Sequence, residues 1–116
     1  MARTKGSTSA RTLSYYGEEA LTLLGQLIRA GRIERKISVQ QLAERVGVSR
    51  DMIRRIENGD PRCGIGSVFE AATIVGVPLF EAEESRLSMR VAEQAEKLQL
   101  MPKTVRETKE VVRDDF

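Results

Sequence analysis

The 116 residues include no histidine and a single cysteine, Cys63. With one thiol and no imidazole, the usual zinc ligand sets are out of reach and no internal disulfide can form. No apolar run reaches the roughly 18 residues of a membrane-spanning helix. The N-terminal stretch "MARTKGSTSARTLSYYG" also lacks the apolar segment and cleavage site of a secretory signal. We therefore expect a cytoplasmic protein with no structural metal, no cofactor and no membrane contact.

The same scarcity argues against an enzyme. Cys63 lies in "PRCGIG" without an evident general base, and the lone "GIG" is too short to cradle a phosphate. Adjacent carboxylates are expected to point apart rather than toward one substrate; these pairs are Glu18-Glu19, Glu83-Glu84 and Asp114-Asp115. The prediction is a protein without catalytic activity.

Charge is distributed unevenly along a chain long enough for one modest domain. Residues 1–62 hold 12 Lys and Arg against 7 Asp and Glu, whereas residues 63–116 hold 7 against 10. A basic half beside an acidic half suggests that one face meets a polyanion and the other has a different task.

Composition divides the chain into an arm, a helical region and a tail. Residues 1–16 are basic and show no periodicity, so they predict a mobile arm, either a disordered start or an arm that touches nucleic acid. Helical spacing of apolar residues predicts helix 1 from Glu18 to about Lys36; these residues are Leu21, Leu24, Leu27 and Ile28. The tail, residues 99–116, is broken by Pro102 and is either disordered or adds to a partner's edge.

Two short helices follow, separated by a very tight turn. Ser38 is the expected N-cap of helix 2, with Gln41 as its capping-box partner. Gly47 suits the left-handed backbone that ends a helix, and Ser49 can cap helix 3 only two residues later. One face of helix 2 is expected to be buried through Leu42, Ala43 and Val46. Helices joined this closely indicate a helix-turn-helix, residues 38–58.

Turn signals divide the rest of the helical region. Helix 3 ends at "ENGD", helix 4 covers roughly Ile65 to Val75, and Pro78 is expected to start helix 5, which continues to about Leu98. An apolar series follows this last stretch: Leu79, Phe80, Leu87, Val91, Ala95 and Leu98. It either closes the core or, on a helix extending beyond the core, contacts a second subunit.

Helix 3 separates its apolar and charged side chains. The inward residues are expected to be Val48, Met52, Ile53 and Ile56. The outward residues are Arg50, Asp51, Arg54, Arg55 and Asn58. The three arginines allow two interpretations. They are surface charges paired with nearby carboxylates, or their planar guanidinium groups form hydrogen bonds with guanine or phosphate. Behind a tight helix-turn-helix the second interpretation is favoured, because the second helix of that motif enters the major groove.

The stretch "ISVQQLAERVGVSRDMIRRIENGD" closely resembles the helix-turn-helix of the Cro/CI/Xre family of repressors. The similarity extends over about Gly25 to Phe80, including "LGQLIRAGR" and "SVFEAATIVGVPLF". It implies an all-α fold, a five-helix lambda-repressor-like DNA-binding domain at residues 17–98 with an extended C-terminal helix and flexible tails. It also implies a transcriptional regulator, most often a repressor, that binds double-stranded operator DNA as a homodimer.

The resemblance also assigns roles to individual residues. Its base-reading positions are Ser49, Arg50, Asp51 and Arg55, with Arg54 at their margin. Its phosphate positions are Val39 through its backbone, Gln40 and Asn58, with Lys36 and Arg45 as additional nearby charges. Many members have Gln where this chain has Val39. Arg32 and Glu57 match a structural ion pair of the family.

Two questions stay open at the level of the sequence. Asp51 either accepts a hydrogen bond from cytosine N4 or, as we favour, holds Arg54 or Arg55 in a local ion pair. The charged tail also resembles that of HipB-type antitoxins, which implies a HipA-like toxin kinase as an alternative partner.

Overall fold

The computed structural model describes residues 13–107, so most of the predicted arm and residues 108–116 of the predicted tail lie outside the described part. Within residues 13–107 the chain forms five α-helices and no β-strand, which confirms the all-α prediction. The helices are α1 Tyr15–Glu34, α2 Val39–Val46, α3 Arg50–Glu57, α4 Ile65–Ile74 and α5 Glu84–Gln99. The chain divides into two compact units, one ending at Leu79 and the other beginning at Phe80.

Helix α1 begins three residues before the predicted start at Glu18. The hydroxyl of Ser14 accepts a hydrogen bond of 3.0 Å from the backbone N–H of Gly17 and so caps the helix. The helix ends at Glu34 rather than near Lys36, because Lys36 has a left-handed backbone with φ 57°.

The predicted boundaries of α2 and α3 are confirmed. Ser38 and Gln41 form the full capping box: Gln41 N–H donates to Ser38 Oγ at 3.0 Å, and Ser38 N–H donates to Gln41 Oε1 at 2.8 Å. Gly47 is left-handed with φ 86°, and its N–H donates to the carbonyl of Ala43. Ser49 caps α3 by accepting from Met52 N–H at 3.0 Å. These local bonds set the short connection between the two helices.

The core of the first unit lies between α1, α2, α3 and α4. Its fully buried residues are Ile28, Leu42, Ala43, Ile53, Ile56, Ala71, Ala72 and Val75. Complete burial of a side chain such as Ile28 or Leu42 contributes about 1.5–3 kcal/mol. Val46, Val48 and Met52 are partly buried against this core, as the predicted apolar faces require. Leu27 differs: the helical spacing grouped it with Leu24 and Ile28, but it is 45% exposed.

Two glycines let α1 lie against its neighbours at backbone distance. A Cβ on Gly25 would be 2.6 Å from the carbonyl oxygens of both Ile56 and Glu57 at the end of α3. A Cβ on Gly31 would be 2.7 Å from the carbonyl oxygen of Val75, just after α4. No other residue type fits these contacts without a backbone shift, so α1 is held close to the C-terminal end of α3.

The predicted start of helix 5 at Pro78 is wrong. Leu79 packs on the core of the first unit, and Phe80 has φ 65°, which an α-helix cannot contain. Helix α5 therefore begins only at Glu84, while its end at Gln99 agrees with the predicted end. Helix α4 ends at Ile74, one residue before the prediction, and is followed by left-handed Gly76.

The second unit consists of α5 and the residues around it. Glu81 accepts from Arg90 Nη1 at 2.8 Å and from Arg86 Nε at 3.4 Å, and the bond from Arg90 holds the pKa of Glu81 below its ordinary value. No residue of α5 is buried. Val91 and Leu98 are 62% and 58% exposed, so the interpretation that the apolar series closes the core is wrong for this helix.

Candidate nucleic-acid interface

Helix α3 is anchored by one face and exposes the other. Ile53 and Ile56 are buried, whereas the outward side chains are exposed except for Arg55, which is half-buried. The exposed set comprises Arg50, Asp51, Arg54 and Asn58. The helix therefore presents the predicted base-reading residues on one surface, starting at its cap Ser49.

Asp51 and Arg55 form an ion pair one turn apart on α3. Asp51 Oδ2 lies 3.2 Å from Arg55 Nε, and the two side chains are 75% and 40% exposed. Arg55 Nε is itself shielded from solvent and lacks an aligned hydrogen bond. The local ion pair favoured for Asp51 is thus present, with Arg55 rather than Arg54 as the partner. An exposed pair of this kind contributes only about 0.3–0.5 kcal/mol, so its main effect is to orient the guanidinium.

Asp60, which the sequence did not single out, holds Arg62 just beyond α3. Asp60 Oδ1 accepts from the backbone N–H and Nε of Arg62 at 2.9 and 3.0 Å, and Oδ2 accepts from Nη2 at 3.0 Å. These bonds lower the pKa of Asp60, and the nearby charge of Arg55 acts in the same direction. An aspartate two residues before an arginine, around Pro61, is the sequence signal for this turn.

Arg32 and Glu57 join α1 to the end of α3, as the family resemblance implied. Arg32 Nε donates to Glu57 Oε2 at 2.6 Å and Nη2 donates to Oε1 at 3.1 Å, a bidentate pair. Arg32 Nη1 also donates to the carbonyl of Ile37 at 3.0 Å. The side chains are only 12% and 6% exposed, so the pair is structural and shielded from salt.

A cavity of about 310 Å³ opens between α1, the start of α2 and the end of α3, and we call it the α1–α3 groove. Its lining residues are Arg29, Arg32, Val39, Arg54, Glu57 and Asn58. The groove brings together Val39 and Asn58, two of the predicted phosphate positions. It adds Arg29, which the sequence analysis missed although it lies one turn before Arg32 on the same helical face.

Comparison with known protein families identifies the type of domain that these helices form. Residues 28–81 match a family model described as helix-turn-helix, of the Cro/CI/Xre type. The chain contains a Cro/CI/Xre-type helix-turn-helix domain. The match runs from the middle of α1 through α4 to Glu81, and α5 lies beyond it. The comparison with curated proteins found no match.

A helix-turn-helix domain of this type is a DNA-binding regulatory domain and is not typically enzymatic. The motif places its second helix in the major groove, and in this chain that helix is α3. The charged outer face of α3 is therefore the candidate DNA-contacting surface of the helix-turn-helix domain.

The remaining predicted phosphate residues of the helix-turn-helix domain lie outside the α1–α3 groove. Gln40 Nε2 donates to Glu44 Oε2 at 2.9 Å along the surface of α2. Lys36 and Arg45 line a separate cavity of about 430 Å³, together with Ile37, Gln41 and Glu44. The structure thus separates Lys36 and Arg45 from Val39 and Asn58.

Potential metal ligands and the single cysteine can be located within residues 13–107. No group of three or more potential His, Cys, Asp or Glu ligands occurs in this range. Cys63 is half-buried, and burial raises the pKa of its thiol. In the same range, no helix combines the length and apolar character needed to cross a bilayer.

Proposed function

We propose that this protein is a sequence-specific transcriptional regulator, a repressor, that binds operator DNA as a homodimer through α3. The observation that carries the proposal is the division of α3: Ile53 and Ile56 anchor it in the core of a helix-turn-helix domain, while three arginines stand on its outer side. Because the proposed ligand is operator DNA, we place the protein in the cytoplasm.

Base reading is assigned to the first part of α3 and to Arg55. Arg50 is exposed and makes no ion pair within residues 13–107, so its guanidinium is available for guanine O6 and N7. Arg55 is steered by Asp51, and Ser49 lies beside them at the helix start. These four residues are the proposed reading surface.

Phosphate contacts are assigned to the backbone of Val39 and to Gln40 and Asn58. The first N–H groups of α2 have no partner within the helix and suit an anionic oxygen. Val39 and Asn58 line one groove, which supports a shared phosphate position. Lys36 and Arg45 would add positive charge from their separate cavity.

The homodimer is supported by the second unit. Val91, Leu98 and Met89 leave more than half of their area exposed on α5, and Leu100 is 89% exposed just after it. A symmetric dimer would cover such a surface and would place two copies of α3 on two half-sites.

Selection of bound sequences from random duplex DNA, with purified protein at a stated salt concentration, tests the proposal. We expect enrichment of one inverted repeat whose half-sites are about 10 base pairs apart, centre to centre, or a multiple of that. Recovery of unenriched DNA would refute sequence-specific binding. Enrichment of a single unpaired half-site would refute the symmetric dimer.

A HipB-like antitoxin is the alternative function, in which a HipA-like toxin kinase binds the protein and DNA binding serves autoregulation. The antitoxin and the regulator would share the DNA-binding surface. They would differ in the task of the acidic half of the chain, which includes residues 108–116 outside the described part. A toxin gene beside this one, together with a stable complex of the two purified products, would favour the antitoxin over a regulator acting alone.

A further inference from the structure

The α1–α3 groove holds two positive charges that the protein itself does not neutralise. Among its lining residues, Glu57 is the only acid, and both of its oxygens are occupied by Arg32. Arg29 and Arg54 are exposed and make no ion pair within residues 13–107. Two like charges facing one cavity repel each other, and an anion between them removes that cost.

We propose that Arg29, together with Arg54, binds a DNA backbone phosphate in this groove. The inference rests on the proposed DNA-binding function and adds a contact from α1, an element outside the helix-turn-helix itself. Two planar guanidinium forks suit a phosphate, because each can donate two parallel N–H bonds to its oxygens. The amide of Asn58 lines the same cavity and offers a further donor.

The groove also refines the role of Arg54. Arg54 lies three residues after Asp51 and four before Asn58, so it could approach either along α3. In the structure it lines the groove with Arg29 and Asn58. Arg55, in contrast, is directed to Asp51. Arg54 therefore contacts the backbone of the DNA, and base reading falls to its neighbours on α3.

Rigid anchoring makes the groove a defined site. The bidentate pair of Arg32 and Glu57 joins the two helices that line the groove. Gly25 lets α1 lie at backbone distance from the end of α3. Arg29 lies one turn from Arg32 on the same helix, so its Cα position follows from that pair. A phosphate bound there would be held between α1 and α3.

The test measures how DNA affinity depends on salt for Arg29→Gln, with Arg106→Gln as the control. Both residues are exposed arginines, so the two variants change net charge equally, but Arg106 belongs to the second unit. Neutralising one phosphate contact lowers the slope of log K against log[salt] by about 0.9. Because the two arginines share one phosphate, we expect that loss for the double variant of Arg29→Gln with Arg54→Gln, a smaller loss for each single variant, and no change for Arg106→Gln.

The loss should be equal on the selected site and on random duplex, because a phosphate contact carries no sequence information. Equal thermal unfolding midpoints confirm that the exposed substitutions leave the fold intact. A slope for Arg29→Gln equal to that of the wild type would overturn the inference while leaving DNA binding in place. Failure of the wild type to bind any duplex would overturn the proposed function, and the inference with it.

Methylphosphonate substitution, which neutralises single phosphates in the DNA, separates a backbone phosphate from free phosphate. At one position in each half-site it should weaken wild-type binding strongly and weaken the double variant of Arg29→Gln with Arg54→Gln much less. If every neutralised position weakens both proteins equally, Arg29 does not contact the DNA backbone.

Discussion

Arg55 combines a contact within the protein with a proposed contact to a base. Its guanidinium is paired with Asp51 at 3.2 Å and lies near enough to Asp60 to lower the pKa of that carboxyl. An arginine held in one orientation loses less side-chain entropy when it binds than a freely rotating one. Asp51, although repelled by phosphate, would thus orient Arg55 for the proposed base contact.

Replacing Arg55 should reduce both affinity and selectivity. We expect Arg55→Ala to weaken operator binding by about 1–3 kcal/mol and to relax the preference at one base position, since a bidentate base contact is lost. Competition binding against single-base variants of the operator measures both effects. Gln40→Ala, at a proposed phosphate position, should instead weaken all sequences alike. Unchanged discrimination by Arg55→Ala would remove Arg55 from the reading surface.

The pair of Arg32 and Glu57 is a bidentate ion pair with little exposure to solvent. Glu57→Gln leaves the guanidinium of Arg32, 12% exposed, without a compensating charge. The expected loss in the free energy of unfolding is about 3–5 kcal/mol, measured by urea denaturation. Arg86→Gln, which removes an exposed partner of Glu81, should change the midpoint little. A loss below about 1 kcal/mol for Glu57→Gln would show that solvent or another group compensates Arg32.

At the junction of α1 and α3, the packing of the two helices depends on Gly25 as well as on the buried apolar residues. Gly25→Ala replaces a poor helix former with the best one, a gain of about 1 kcal/mol if the site were open. The added Cβ would instead lie 2.6 Å from two backbone oxygens. We expect net destabilisation of about 1–3 kcal/mol or more, as for other overpacked sites.

Gly66→Ala is the matched control, because nothing lies within 4 Å of an added Cβ on that helical residue. It should leave stability unchanged or raise it slightly. Denaturation curves for both variants give the comparison. Equal stability of the two variants would mean that α1 moves away from α3 at little cost, and the close contact at Gly25 would then not be a constraint.

The turn between α3 and α4 should make stability depend on pH through Asp60. The pKa of Asp60 is lowered in the folded protein, mainly by its hydrogen bonds to Arg62. Its contribution to stability is therefore complete above the unfolded-state pKa of about 3.9 and is lost as the pH falls through the folded-state value. The stability difference between wild type and Asp60→Asn, from urea unfolding between pH 7 and pH 2, should shrink below about pH 4. A difference that is constant with pH would show that Asp60 acts through neutral hydrogen bonds alone.

At the level of the molecule, the proposed DNA-binding surface and the exposed apolar surface belong to different units. The first unit, through Leu79, carries α3 and the α1–α3 groove, and the second carries α5. This separation predicts that dimerisation and DNA contact can be altered independently.

The double variant Val91→Asp with Leu98→Asp tests the dimer. Both side chains are more than half exposed, so the substitutions should leave the monomer folded while removing apolar contact area. Sedimentation equilibrium should show a dimer for the wild type and a monomer for the variant. Val105→Asp, a 94% exposed residue after α5, is the control and should remain dimeric. A monomeric wild type, or a dimeric double variant, would contradict an interface on α5.

Much of the first unit follows from short-range patterns. The caps and the turn around α2 and α3 depend on bonds between residues no more than four positions apart. They could therefore be predicted with correct boundaries from Ser38, Gln41, Gly47 and Ser49. The apolar side of α3 was predictable for the same reason, since Ile53 and Ile56 recur at helical spacing. The start of α5 was not predictable from Pro78, because the left-handed backbone of Phe80 has no signal in the neighbouring residues.

Local patterns thus determined where α2 and α3 lie and which side of α3 is buried, because caps and periodicity act over a few residues. The tertiary structure decided which distant residues share a site. Arg29 and Arg54, 25 positions apart, meet in one groove because Gly25 admits α3 to backbone distance and Arg32 binds Glu57. Such contacts depend on where whole helices lie, and no short stretch of sequence encodes that.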